Sequence, residues 1–189
     1  APNLDAQLRA VFGNAAALAL DSAILFGTGA SNQPLGVANT SGIQTVSMGT
    51  NGAALANWNP VLDAVAALEA ANAGEVSAIV LAPRTGRTTY GLVDSTGQPL
   101  TMPPRIAGIP RLVTSAVPIN QTQGSSSVAS TALLGDWSEV YVGMRTSLQI
   151  SVLQERYADN GQVGFVAWLR ADVAVARPAA MAKIVGIIP

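Results

Sequence analysis

The stretch Leu133-Leu134-Gly135-Asp136-Trp137 joins an apolar run to a tight turn and then to the β-patterned remainder of the chain. An Asp at such a turn bonds nearby backbone amides, and Trp137 is placed to cover a strand end, so the turn reads as structural. Around it, Ala132 to Leu134, Val140 to Val142, Leu148 to Leu153, Val163 to Trp168, Val173 to Val175 and Met181 to Ile188 read as short strands separated by Gly and polar turns. Glu155-Arg156 and Asp159-Asn160-Gly161 mark a charged turn between two of them. That turn is either a solvated hairpin loop or a contact between subunits, with Arg156 facing a neighbour's carboxylate. Arg170 and Asp172 lie two apart and share a strand face, which allows an ion pair within or between chains.

Upstream, Leu4, Leu8, Val11, Ala15, Leu18, Ser22 and Leu25 recur at spacings of three and four, which predicts one long helix from Leu4 to Phe26. Asn3 is its expected cap, Asp5 suits the first turn, and Gly27 and Gly29 end it. Its apolar face fits a core contact or a spine along which subunits touch, and Ala10, Ala16, Ala17 and Ala19 permit close approach. A Gly-, Ser-, Thr- and Asn-rich segment follows, with a short strand near Ile43 to Met48. A second helix is expected from Pro60 to Ala73, capped by Asn59, closed by Gly74 and burying Trp58, Val61, Leu62, Val65 and Leu68. Ala78 to Leu81 reads as a buried strand, Pro83 to Leu92 as a short helix, and Asp94-Ser95-Thr96-Gly97 as a turn. Met102 to Ile109, with Pro103, Pro104 and Arg105, is expected to be a loop, and Arg111 to Thr114 a strand. Gln121 to Ser130 is polar and Ser-rich and does not suit a core. The class is α+β.

Composition narrows the function. Only 11% of the 189 residues are charged, 49% are hydrophobic, and mean hydropathy is +0.36. A typical soluble domain carries about 25% charged residues. The excess of apolar residues predicts surface buried against other subunits, since obligate interfaces resemble a core cut in half. A net charge of −1, with Arg scattered singly and Lys183 the only Lys, argues against a nucleic-acid groove. Without Cys or His there is no disulfide, thiol nucleophile, imidazole base or imidazole ligand. No metal or other cofactor is expected. The carboxylates Asp21, Asp63, Glu69 and Asp94 are far apart in sequence; a pocket uniting two acidic residues would revive an enzyme reading. Phe26-Gly27-Thr28-Gly29 lacks the nearby Lys of a phosphate loop and follows a helix where such a loop precedes one. The apolar run Ala15 to Phe26 is shorter than a membrane span and contains Asp21, so no membrane is expected as a partner. No secretory signal is evident, and the start at Ala1-Pro2-Asn3 suggests a missing upstream region.

Taken in order, the helix ending Leu25-Phe26-Gly27-Thr28-Gly29, then Gln33-Pro34-Leu35-Gly36, the helix from Pro60, Leu81-Ala82-Pro83-Arg84, and Asp94 to Leu100 form a recognisable series. Gly108-Ile109-Pro110, Gly135-Asp136-Trp137 and Arg170-Ala171-Asp172 to Arg177-Pro178 complete it. The series resembles the major capsid proteins of tailed bacteriophages, with the Hong Kong 97-type fold. The resemblance implies a spine helix, a peripheral domain over 1–45 and 145–189, and an axial domain over 46–144. It implies that the family's N-terminal arm and extended hairpin precede Ala1. It implies subunit contacts near a capsomer axis at Pro103, Pro104 and Arg105, and near a threefold junction at Glu155, Arg156, Asp159 and Asn160. The implied partners are further copies, as pentamers and hexamers of an icosahedral shell around double-stranded DNA that is held without sequence-specific contacts. Assembly would take place in a host cytoplasm. The alternative is an encapsulin-like compartment, which shares the fold. Some members weld their shells through a Lys–Asn bond aided by a Glu. Alignment on Arg177-Pro178 places Gly161 and Trp168 where those members carry the Asn and the Glu, so this crosslink is not expected.

Overall fold

The computed structural model describes residues 2–153, 155–156 and 158–189, with side chains of the first helix described from Ala6 onward. The elements are α1 (Pro2–Phe26), β1 (Gln44–Ser47), β2 (Ala53–Ala54), α2 (Asn59–Ala70), β3 (Ala78–Leu81), α3 (Pro83–Tyr90), α4 (Pro104–Ala107), β4 (Arg111–Val113), β5 (Gln121–Gln123), β6 (Ser126–Gly135), β7 (Val140–Leu153), β8 (Gly164–Val175) and β9 (Met181–Ile188).

A mixed sheet runs in the order β1-β9-β6-β3-β4, with β2 also paired to β9 and β5 to β6. All four residues of β3 are buried. The reason is a layer on each face. Ile79 and Leu81 join Leu134 and Ile184 in the core with Val61, Val65 and Leu68 of α2. Val80 and Leu133 join Leu25 of α1 and Val117 in a second cluster. Strands covered on both faces read as unbroken apolar runs, as Ala78-Ile79-Val80-Leu81 does. The C-terminal β9 pairs in parallel with β1 and antiparallel with β6, so residues far apart in sequence share one sheet.

β7 and β8 form a separate antiparallel ribbon, paired from Val140↔Val175 out to Leu153↔Gly164. Each is one long strand where the sequence suggests two short ones. Register shifts between Met144 and Gln149 absorb the polar interruption Arg145-Thr146-Ser147 instead of ending the strand.

Other expectations are corrected. α2 begins at Asn59, with Trp58 at the cap position and no side-chain cap bond; Asn57 Oδ1 accepts from the Asn59 amide at 3.0 Å. It ends at Ala70, and beyond the Ala71 cap Asn72 takes the left-handed φ of 51°, while the Ala73 amide reaches back to the Leu68 carbonyl at 2.9 Å. Asn72 thus does what Gly74 was expected to do. Pro104 to Ala107 is a helical turn inside the expected loop, anchored by the buried Ile106. Gln121 to Ser130 forms the β5–β6 hairpin, turning at Gly124 with φ 56°. Ser130 is fully buried because its hydroxyl is partnered, by Thr85 Oγ1 at 2.8 Å and the Ile187 carbonyl at 3.2 Å.

The long helix is present, but its predicted face points outward. Val11 is 64% and Leu18 59% exposed, Ala15 and Ser22 are exposed, and Leu25 alone of the described set is buried. The half-buried row is instead Leu8, Phe12, Ala16, Leu20 and Ala23, with Phe12 6.4 Å from Phe165 of β8. A 3.6-residue period identifies an apolar stripe without saying what covers it, and this helix carries two adjacent stripes. α1 starts at Pro2, which places Asn3 inside its first turn; the side chains of Asn3, Leu4 and Asp5 lie outside the described residues. The stretch Ala6–Phe26 is longer than the run read from sequence. With mean hydropathy 1.4, it is long and apolar enough to cross a membrane by length and composition alone.

Candidate functional site

The recurring motifs turn out to be the joints of the fold. Leu25 to Gly29 and Gln33 to Gly36 close on each other. Gly29 donates to the Pro34 carbonyl at 3.1 Å, Gly36 donates to the Gly27 carbonyl at 2.9 Å, and Asn39 Nδ2 reaches the Gly27 carbonyl at 2.9 Å. A Cβ on Gly27 would strike the Pro34 carbonyl oxygen, and one on Gly36 would strike the Gly27 and Phe26 amides. Both positions need glycine for close backbone approach.

Arg84, in Leu81-Ala82-Pro83-Arg84, reaches the Val128 carbonyl at 2.7 Å, Ile187 at 3.4 Å and Ile119 at 3.5 Å. It ties α3 to the β5–β6 hairpin, to β9 and to the loop before β5. Arg177 donates to the Ala71 carbonyl at the end of α2, at 3.0 Å. Lys183 donates to the Ala38 carbonyl at 2.7 Å. In the Gly135-Asp136-Trp137 turn, Asp136 Oδ1 accepts from the Ser138 amide at 3.0 Å, and Trp137 Nε1 donates to the Ala78 carbonyl at 3.0 Å. These basic side chains hold carbonyls, which is structural work.

The expected contact residues fall on two separate elements. Pro103 and Pro104 open α4, and Arg105 follows. Arg105 forks onto Glu69 at 2.6 Å and Glu75 at 3.1 Å, tying α4 to the end of α2. Glu69, followed by Glu75, pushes the guanidinium pKa further up, and the side chain remains exposed. Arg105 is therefore already engaged within its own chain. Glu155, Arg156, Asp159 and Asn160 come together at the tip of the β7–β8 ribbon, all exposed. Asp172 Oδ1 accepts from the Val173 amide at 2.8 Å.

Sequence reasoning anticipated exposed apolar surface but not where it lies. On and beside the ribbon, Tyr141, Met144, Val163, Val166 and Trp168 are exposed; on the edge strand β4, Leu112 and Val113 are, as are Tyr90 at the end of α3 and Val93 in the loop after it. Arg111 lies 4.8 Å over the Tyr90 ring at that edge. The available signal was the high apolar content combined with few charges, which gives the quantity of such surface but not its place. No group of three or more potential metal ligands occurs among the described residues. Asp21 and Glu155 each line a surface hollow that contains no second carboxylate. Glu69 and Glu75 do converge, but on Arg105. Asp94 accepts from the Thr96 hydroxyl at 2.7 Å and from the Gln98 and Thr96 amides, which hold its carboxyl below the usual range.

Against solved structures, the chain superimposes on the capsid of a native GTA particle with a TM-score of 0.72, 19% identity, and 97% of this chain matched to 65% of that one. For Mycobacterium phage Bobi the values are 0.70, 19%, 96% and 64%. For the SrpI encapsulin of Synechococcus elongatus PCC 7942 they are 0.59, 16%, 98% and 66%. At such identities the likeness shows the fold, and the chain spans about two thirds of the length of these structures. No curated protein matches the sequence. The model of the phage capsid family matches residues 1–186. With the interlocked glycine loops, the mixed sheet and the spine helix in the arrangement of phage capsid structures, this chain belongs to the phage capsid family.

Proposed function

We propose that the chain is the shell-forming part of a major capsid protein, whose mechanism is symmetric self-assembly into an icosahedral head. The observation that carries this reading is the family match over residues 1–186. The physical support is the outward apolar row of α1 and the exposed apolar residues of the ribbon, the kind of surface that marks contact sites. Many moderate contacts, repeated by closed symmetry, give a stable shell without any single strong one. The parts are a peripheral domain (1–45 and 145–189) and an axial domain (46–144). β9 hydrogen-bonds with β6, so the two parts share a sheet. The partners are copies of the chain in pentamers and hexamers. The enclosed cargo is double-stranded DNA, which the near-neutral charge of this part of the wall neither grips nor strongly repels. The protein acts as structure, not as an enzyme, in the virion after assembly in a host cytoplasm, with no membrane partner. The second reading, an encapsulin-like compartment, draws on the likeness to the Synechococcus shell.

Electron microscopy with light scattering of the purified full-length protein tests this. Closed particles of uniform diameter, or rings of subunits, are expected, and nucleic acid inside separates a phage head from a compartment holding a protein. A strictly monomeric species across salt and concentration would overturn the assembly reading.

A further inference from the structure

Two Asn–Gly pairs occur in the chain, Asn51-Gly52 and Asn160-Gly161. At such a pair the glycine amide nitrogen, unshielded by a Cβ, can lose its proton and attack the Asn side-chain carbonyl carbon. The new C–N bond closes a succinimide and ammonia leaves. Water then opens the ring to aspartate or isoaspartate, and no oxidant or reductant is involved.

The fold treats the two pairs differently. Asn51 Oδ1 is held by the Ser125 amide at 3.1 Å, and the Gly52 amide donates to the Gly49 carbonyl at 3.3 Å. Gly52 is also wedged against β9, where an added Cβ would lie 2.6 Å from the Gly186 carbonyl oxygen. Rotation of the Asn51 side chain onto its neighbour's nitrogen means breaking these contacts. Asn160 is exposed in the single turn Ala158–Asn160 at the ribbon tip. Gly161 has a φ of 62°, and no atom of the described residues lies within 4 Å of the Cβ position it lacks. Asn160-Gly161 shows none of the contacts that hold Asn51-Gly52 among the described residues.

We propose that Asn160 is a spontaneous deamidation site of the folded free subunit and that the fold protects Asn51. The product adds a negative charge beside Asp159 and near Glu155. If the tip meets a neighbouring subunit, which rests on the assembly reading, converted subunits join a shell less well; the modification itself does not depend on that reading.

The test is peptide mapping by mass spectrometry of the full-length subunit incubated at mildly alkaline pH, folded and in denaturant. In the folded protein Asn160 should convert faster than Asn51 by on the order of tenfold or more, the effect of losing one or two hydrogen bonds before reaction. The rate should rise with pH, and the two sites should become comparable in denaturant. Asn160→Gln should abolish conversion at the tip and leave Asn51 unchanged. Equal rates in the folded protein, faster conversion at Asn51, or a folded Asn160 that stays intact while the denatured one reacts would each overturn the proposal.

Discussion

β6 and β8 are similarly apolar strands that meet opposite fates. From Ala129 to Gly135, β6 is buried throughout, and Leu133 and Leu134 have no exposed surface. In β8, Val166 is 44% and Trp168 55% exposed, and Val173 is the one buried residue. The difference lies in what flanks them. β6 has strands on both sides and a layer on both faces, whereas the ribbon has α1 against one face and no further strand paired to it among the described residues. An isolated two-stranded ribbon is marginally stable in water. The sheet therefore supports itself, and the ribbon with α1 is the part that gains from a partner.

The comparison can be broken at the sheet. Leu134→Ala is expected to cost about 2–5 kcal/mol, read from the denaturation midpoint, because it opens a cavity between α2 and the sheet. A loss under about 1 kcal/mol would mean that the core relaxes as readily as the ribbon. Next in size is the joint at the end of α1. Gly36→Ala forces a methyl group against the Gly27 amide and should cost about 1–3 kcal/mol. Arg84→Ala removes a donor from the Val128 and Ile187 carbonyls, for a loss of about 1 kcal/mol in the same measurement.

On the other side of the comparison, Leu18→Ser and Val166→Ser should change subunit stability by no more than about 0.5 kcal/mol. The same variants should lower the yield of assembled particles in light scattering. A large loss of subunit stability would show that these positions are already buried in the free chain. The smallest effect belongs to Asp94. Its carboxyl pKa is lowered in the fold, first by the Thr96 hydroxyl and then by the Gln98 and Thr96 amides. The stabilisation of the turn is therefore present at neutral pH and is lost as pH falls through the depressed folded value. A pH titration of the Thr96 and Gln98 amide resonances should show this step, and Asp94→Asn should remove it.

Where a segment's partner lies close in sequence, or where a run is apolar on both faces, local pattern was enough. Ala78 to Leu81 was legible as a buried strand because it is covered on both sides, and α2's face because its stripe is single. The hairpin Gln121 to Ser130 was not legible. Its serines are polar by composition, and only the meeting of Ser130 with Thr85 and Ile187 makes burial tolerable. Of the contact candidates, Glu155, Arg156, Asp159 and Asn160 lie together at an exposed tip as expected for a hairpin turn. Arg105 pairs within its own chain with Glu69, 36 residues away in sequence, a contact that no local pattern announces.

The sequence by itself determined the α+β class, the presence of the long helix, the strand runs and the ordered motifs that carry the family. These follow from period, β-patterned runs and glycine placement, which act over a few residues. Tertiary structure alone decided which stripe of α1 is covered, that β9 enters the sheet between β1 and β6, and that Leu25 to Gly29 and Gln33 to Gly36 lock together. The reason is physical. A local pattern marks surface that must leave water, but the identity of the covering surface depends on contacts between residues as distant as Ser130 and Ile187.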